Sequence, residues 1–381
     1  KTLGYVLPLV THVIDQPHIL PNVDGPIAII LTPTRELAKQ VNLVVKKLLH
    51  VVGGKSVAVT GGTGTYEMVK ELKKGCEVIV STPGRFIDMV KRKATNCRRI
   101  TLVILDEADK MLEMGFESQC SSILTNVRPD RQTFMFSATL GKKIERVAKG
   151  WLRNPIRIAV GQIGSSSEHV DQQVLILPNH DAKVIWLLEM VPTLYAVGKM
   201  IIFVQSRVEV DTLTEKLKNT SAISGSGILV DSIHGERHQT DRNAALSAFR
   251  KGKIRVLIAT DVAARGLDVC DVMTVINFDP AKNLDSHVHR IGRAGRLDKD
   301  SPEHKKGVAY TLLTSKNADF AHALSEAFGR EGREVNEDLL KLAMNSKYSG
   351  VKGGHTRHNK YGLGFVEDAD TQKKRKRSSF S

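Results

Sequence analysis

The chain has 381 residues, 41% hydrophobic and 25% charged, enough for two domains with ordinary cores. Its net charge of +15 favours a polyanionic partner, nucleic acid being the commonest, although part of the excess lies in the terminal run Lys373-Lys374-Arg375-Lys376-Arg377. Four cysteines without paired ligand spacing argue against a disulfide framework or a zinc site and fit a reducing compartment, and no apolar run approaches the length of a membrane span.

Lys1-Thr2 opens an apolar helical pattern, Leu3-Gly4-Tyr5-Val6-Leu7-Pro8-Leu9. A Lys-Thr pair at a helix start is how a phosphate loop ends, although a dipeptide alone carries no weight. Strands are then predicted over 27–31, 56–60, 77–81, 101–106 and 132–136, with helical patterns such as 35–49 and 142–151 between or after them. That alternation is the signature of βαβ units and a parallel sheet. Gly/Ser-rich text at 161–168 reads as a flexible linker. Strands over 199–204, 227–233, 254–259, 272–277 and 308–313 repeat the pattern. Beyond about residue 331 it weakens to one helix, 336–343, and then to Gly-, Lys- and His-rich text expected to be largely disordered. The expected organisation is therefore α/β, two tandem parallel-sheet domains at 1–160 and 173–330, a linker at 161–172 and a basic C-terminal tail at 331–381.

The chemistry-bearing residues gather where strands end. Asp106-Glu107-Ala108-Asp109 follows the β-branched run 101–105, which puts two carboxylates at the carboxyl end of a buried strand, where open α/β sheets bind ligands. Taken alone, an acidic strand-to-helix turn is an equally good reading. Pro33-Thr34-Arg35-Glu36-Leu37-Ala38 and Thr82-Pro83-Gly84-Arg85 each join a hydroxyl, a helix start and an arginine, a phosphate-holding combination that is more often an ordinary cap. Gly53-Gly54-Lys55-Ser56 lacks the earlier glycine and has the wrong helix-to-strand polarity for a phosphate loop, and Gly61-Gly62-Thr63-Gly64-Thr65 lacks the lysine. The latter suits close backbone approach to another phosphate. Ser137-Ala138-Thr139 ends a further strand and alone is a turn. In the second half, Thr260–Asp268 follows a strand, and His289-Arg290-Ile291-Gly292-Arg293-Ala294-Gly295-Arg296 spaces three arginines among glycines, as arginine fingers on a γ-phosphoryl group require.

In this order and spacing the motifs resemble the DEAD-box ATP-dependent RNA helicases over roughly residues 1–330. Asp109 separates this group from relatives with His there. The resemblance implies two RecA-like domains, ATP and Mg²⁺ as cofactors, and RNA as partner through backbone contacts. It implies Lys1 on the β/γ-phosphates, Thr2 and Asp106 on Mg²⁺ (the latter through water), Glu107 as general base, and Gly266 and Asp268 on the γ-phosphate and ribose. Arg293 and Arg296 would be the arginine fingers. Asp109, Ser137, Thr139 and His289 would couple hydrolysis to RNA release. Thr34, Arg35, Gly62, Thr82, Gly84 and Arg85 would line the RNA track in the first domain, and Arg207, Gly235, Arg242 and Thr260 in the second. Phe203 stands where the family has a packing Phe.

The chain departs from the pattern at its start, because the glycines before Lys1 and the adenine-recognition motif are missing; a chain beginning at Lys1 is expected to bind ATP poorly. Glu236 replaces the usual Asp, and Ala294 a frequent Thr. The segments 127–133, 337–344 and 360–365 resemble a nuclear subgroup associated with pre-mRNA splicing, which implies spliceosomal partners. Lys373–Arg377 fits an import signal, with a solvated tail as the alternative; a nuclear monomer is expected, with the cytoplasm left open. Two rivals remain. One is an RNA-binding clamp that does not unwind productively. The other is a DNA translocase, which suits the architecture but not Asp109.

Overall fold

Short β-branched runs that are buried along their whole length form parallel strands, because both faces of such a strand must be covered by helices. Here they do so in two sheets. The computed structural model describes residues 1–61, 64–139, 141–160, 170–220, 225, 227–261, 271–295 and 306–348. The first part runs α1 (Thr2–Ile14), β1 (Ala28–Leu31), α2 (Arg35–Val51), β2 (Ser56–Val59), α3 (Thr65–Lys73), β3 (Val78–Ser81), α4 (Pro83–Lys91), β4 (Leu102–Leu105), α5 (Ala108–Glu113), α6 (Glu117–Asn126), β5 (Gln132–Met135) and α7 (Lys142–Trp151). Its five strands are all parallel, in the order β2-β3-β1-β4-β5.

The second part runs β6 (Val170–Ile176), α8 (His180–Val197), β7 (Lys199–Phe203), α9 (Arg207–Asn219), β8 (Val230–Ile233), α10 (Gln239–Arg250), β9 (Val256–Ala259), β10 (Val272–Asn277), α11 (Leu284–Ile291), β11 (Gly307–Leu313), α12 (Ala318–Arg330) and α13 (Glu337–Met344). Six parallel strands take the order β6-β11-β10-β7-β9-β8.

Side-chain alternation divides each sheet between two cores. Ile29, Leu31, Val103 and Leu105 face one layer of the first sheet, with Phe86, Met111 and Trp151. Ala28, Ile30, Leu102 and Ile104 face the other, with Tyr5, Leu9, Val41 and Val45. In the second sheet Ile201 and Phe203 face Phe249 and Ile291, while Met200 and Ile202 face Leu187, Leu213 and Phe278. All ten expected strands are present, most with ends shifted by one or two residues and β8 starting three residues late. β6 was not expected. It begins at Val170, inside the segment read as linker, and pairs along its full length with β11. As an edge strand carrying Asp171, Gln172 and Gln173 it lacks the apolar run that marks its neighbours. The late helix α13 packs on α12 and β6, and Leu339, Leu342 and Ala343 join Leu324 and Phe328 in a separate cluster.

Candidate active site and nucleic-acid interface

Strand direction brings the motif residues to one edge. Thr32–Thr34 leave β1, Thr82 leaves β3, Asp106 and Glu107 leave β4, and Ser137 lies just beyond β5, all at the carboxyl end of the first sheet. Thr260 and Asp261 leave β9 at the equivalent edge of the second. Parallel sheets leave this edge open for ligands.

At the centre, Asp106 is buried and both its oxygens are occupied. Oδ1 accepts the Glu107 N–H at 3.0 Å, and Oδ2 accepts the Tyr5 hydroxyl at 2.8 Å. Burial raises its pKa above the usual carboxylate range, while the Tyr5 hydrogen bond and the Lys1 charge pull it down. Glu107 is raised too, first by burial and then by the neighbouring Asp106 charge, and Arg293 opposes the rise. Arg293 thus acts on Glu107 from the opposite half of the molecule. Glu107 also takes the left-handed backbone conformation at φ 53°, ψ 50°, uncommon for a residue with a side chain and a frequent mark of functional turns. Its Oε2 is buried and has no hydrogen-bond partner among the described residues.

A second polar group joins the two halves beside this centre. The Thr139 hydroxyl donates to Asp109 at 3.4 Å, and that of Ser137 donates to the Thr139 carbonyl at 2.6 Å. Ser137 therefore reaches Asp109 through Thr139. Asp285 at the start of α11 faces the same group: its carboxyl is raised chiefly by burial, the Lys110 charge and the Thr139 hydroxyl opposing the rise. Lys110, 1% exposed, bonds Glu113 at 3.1 Å and lies 3.4 Å from the Ser286 hydroxyl. His289 and Arg293 line the same cavity as Lys110, Ser286, Asp261 and Phe203.

Arg290 has a different part. Its guanidinium makes two bonds to Asp261, at 2.6 and 2.9 Å, one to the Asp279 carbonyl at 2.6 Å, and stacks 5.0 Å from the Phe203 ring centre. It is 2% exposed and pins α11 to the β9 and β10 ends.

Of the residues expected on the RNA track, Thr34 and Arg35 lie where β1 passes into α2, and Thr82, Gly84 and Arg85 where β3 passes into α4. Thr34 caps α2 by accepting the Leu37 N–H at 3.3 Å, and Thr82 begins α4 with its side chain free of cap bonding. Arg85 is held by Asp88 and by the Thr65 hydroxyl. Gly61 lies directly under the Arg35 guanidinium: a Cβ there would sit 2.5 Å from Arg35 Cζ. At Gly84 a Cβ would meet Gln119 at 3.0 Å. In the second half Arg207 pairs with Glu236 near Gly235 and is exposed. Arg242, expected on the RNA track, turns its side chain to the first half and pairs with Glu36 at 2.8 Å, with 12% and 10% of the two side chains exposed. Gln239, one turn earlier on α10, also donates to Glu36. Of the other expected residues, Gly62, Gly266, Asp268 and Arg296 lie outside the described residues.

Sequence reading missed Tyr5, Glu36, Gln239, Lys110, Asp261, Asp285 and Arg290 as members of these groups. Glu36 stood inside a quoted motif but reads as an ordinary first-turn acid. Gln239 and Arg242 are three apart on one helix face, a usable signal.

Metal chemistry is consistent with this centre. Asp106 and Thr2 offer hard oxygen ligands, and Glu107 Oε2 is an unsatisfied buried oxygen beside them. Among the described residues no three His, Cys, Asp or Glu side chains form a cage.

Two parallel sheets turning their carboxyl ends onto one cleft, acids on one wall and arginine on the other, define the paired RecA-like α/β architecture. Residues 1–147 match the family described as DEAD/DEAH box helicase, and 182–298 match the helicase conserved C-terminal domain. The chain is 44% identical over 345 residues to rice (Oryza sativa subsp. japonica) DEAD-box ATP-dependent RNA helicase 24, covering 90% of this chain and 43% of that protein. It is 43% identical over 373 residues to human (Homo sapiens) ATP-dependent RNA helicase DDX42, covering 96% and 38%. S. cerevisiae Dbp5 bound to RNA and ADP BeF3 superposes with a TM-score of 0.73 at 28% identity, covering 90% of this chain and 85% of that one. The chain belongs to the DEAD-box helicase family. It spans about two fifths of the length of the curated relatives it matches. No helix among the described residues is long and apolar enough to cross a membrane.

Proposed function

We propose that this chain is the motor core of an ATP-dependent RNA helicase, which grips single-stranded RNA by its sugar-phosphate backbone and separates duplexes or remodels RNA–protein complexes. The observation that carries the reading is the meeting of the two halves at their strand ends. The charge of Arg293 reaches Glu107, and Arg242 and Gln239 clasp Glu36.

In this reading Glu107, its carboxylate raised by burial, takes a proton from the attacking water. Arg293, with Arg296, stabilises charge on the transferring phosphoryl group. Lys1 binds the nucleotide phosphates. Mg²⁺, held by Asp106 and Thr2, would neutralise phosphate charge when bound. Gly266 and Asp268 complete the nucleotide site. Thr34, Arg35, Gly62, Thr82, Gly84, Arg85, Arg207, Gly235 and Thr260 face the RNA. Arg242 is proposed to act mainly by closing the two halves around it. The Asp109–Thr139–Asp285 contacts link the nucleotide side to the interface. Dbp5, at 28% identity, was seen with RNA and ADP BeF3 together, which supports joint binding of nucleotide and RNA. The segments 127–133 and 337–344 support a nuclear, splicing-associated setting.

The test is ATP hydrolysis with and without single-stranded RNA, and with DNA of the same sequence. Stimulation by RNA is expected, with DNA inactive because a 2′-hydroxyl separates the polymers. RNA binding without stimulated hydrolysis would favour a clamp, and equal stimulation by DNA would favour a translocase.

A further inference from the structure

Tyr5 is fully buried on α1, one turn after Thr2, between the apolar residues Val6 and Leu9 and the Phe136 ring, whose centre is 5.1 Å away. A phenylalanine would serve the packing equally, so the buried hydroxyl calls for a separate explanation. Its single proton goes to Asp106 Oδ2 at 2.8 Å. With the Glu107 N–H on Oδ1 at 3.0 Å, this bond fixes the Asp106 carboxylate plane at both oxygens.

We propose that Tyr5 is a positioning residue for the cation-binding carboxylate: its phenol holds Asp106 in one fixed orientation, so a hydrated divalent cation meets preoriented oxygens. The proposal rests on the nucleotide-hydrolysing reading above and adds a residue to it. Groups that orient metal ligands without touching the metal typically carry about tenfold or more in metal affinity.

The test is Tyr5→Phe in the full protein, with binding of the fluorescent nucleotide mant-ADP titrated against Mg²⁺ and repeated in EDTA. The half-saturating Mg²⁺ concentration should rise about tenfold while binding in EDTA stays unchanged. In an Asp106→Asn background the same substitution should add nothing. An unchanged Mg²⁺ titration, or equal weakening with and without Mg²⁺, would overturn the role of Tyr5 alone. If the unaltered protein showed no Mg²⁺-dependent nucleotide binding, the nucleotide reading would fall with it. Thermal unfolding of Tyr5→Phe, expected to show a cooperative transition like the parent, separates these outcomes from misfolding.

Discussion

At the scale of single residues, one motif holds side chains with opposed tasks. In His289–Arg296 the arginines look interchangeable in sequence, all candidates for phosphate. Burial separates them. Arg290 spends its donors on Asp261 and a carbonyl and covers Phe203, so it holds the fold, whereas Arg293 acts on Glu107. Arg290→Ala leaves Asp261 without its bidentate partner, and a loss on the order of 3 kcal/mol is expected in urea unfolding. A loss below about 0.5 kcal/mol, the range of ordinary surface changes, would contradict a structural role. Glu107→Gln keeps size and shape but removes the proposed base, so nucleotide and RNA binding should persist while hydrolysis falls by at least about a hundredfold. Normal turnover would remove Glu107 from that role. Spacing and residue type made Asp106 and Glu107 legible in sequence. The left-handed turn at Glu107 was not, since no glycine or asparagine marks it.

Among elements, α10 and α2 form the contact that best explains how the halves stay together. Arg242 and Gln239 converge on Glu36, whose side chain is 10% exposed. A pair so screened from water matters more than the exposed ion pairs elsewhere, such as Arg128–Asp130. Arg242→Ala should weaken RNA binding in the presence of a non-hydrolysable ATP analogue by about 2 kcal/mol or more, while leaving the unfolding transition unmoved. Equal RNA binding by the variant would show that Glu36–Arg242 is incidental. Strand periodicity revealed both sheets, but it says nothing about what crosses between them. The edge strand β6 escaped because pairing with β11, rather than its own apolar pattern, makes it a strand.

The whole molecule carries a buried titratable group at the seam of its second half. His287 on α11 lies against Gln172 of β6 and Phe320 of α12, with Arg290 one turn on. Burial first, and then the Arg290 charge, pushes its pKa from 6.5 down to about 3. Its Nδ1 has no partner among the described residues, consistent with a neutral ring donating from Nε2 to Gln172. Between those two values the unfolded chain binds a proton that the folded chain does not. Stability is therefore full above pH 6.5 and falls as pH drops, by up to about 1.4 kcal/mol per unit from this group. His287→Gln should flatten the slope of denaturant-measured stability between pH 6 and 5; an unchanged slope would assign it to other groups.

The central claim is that nucleotide and RNA are gripped together because the two halves close on both. The most direct test is the RNA affinity of Glu107→Gln with and without ATP, beside the same comparison in Glu107→Gln/Arg242→Ala. The account predicts RNA held at least about tenfold tighter with ATP in the single variant, a coupling of about 1.4 kcal/mol, and most of that gain lost in the double variant. Equal RNA affinity with and without ATP in the single variant would contradict it.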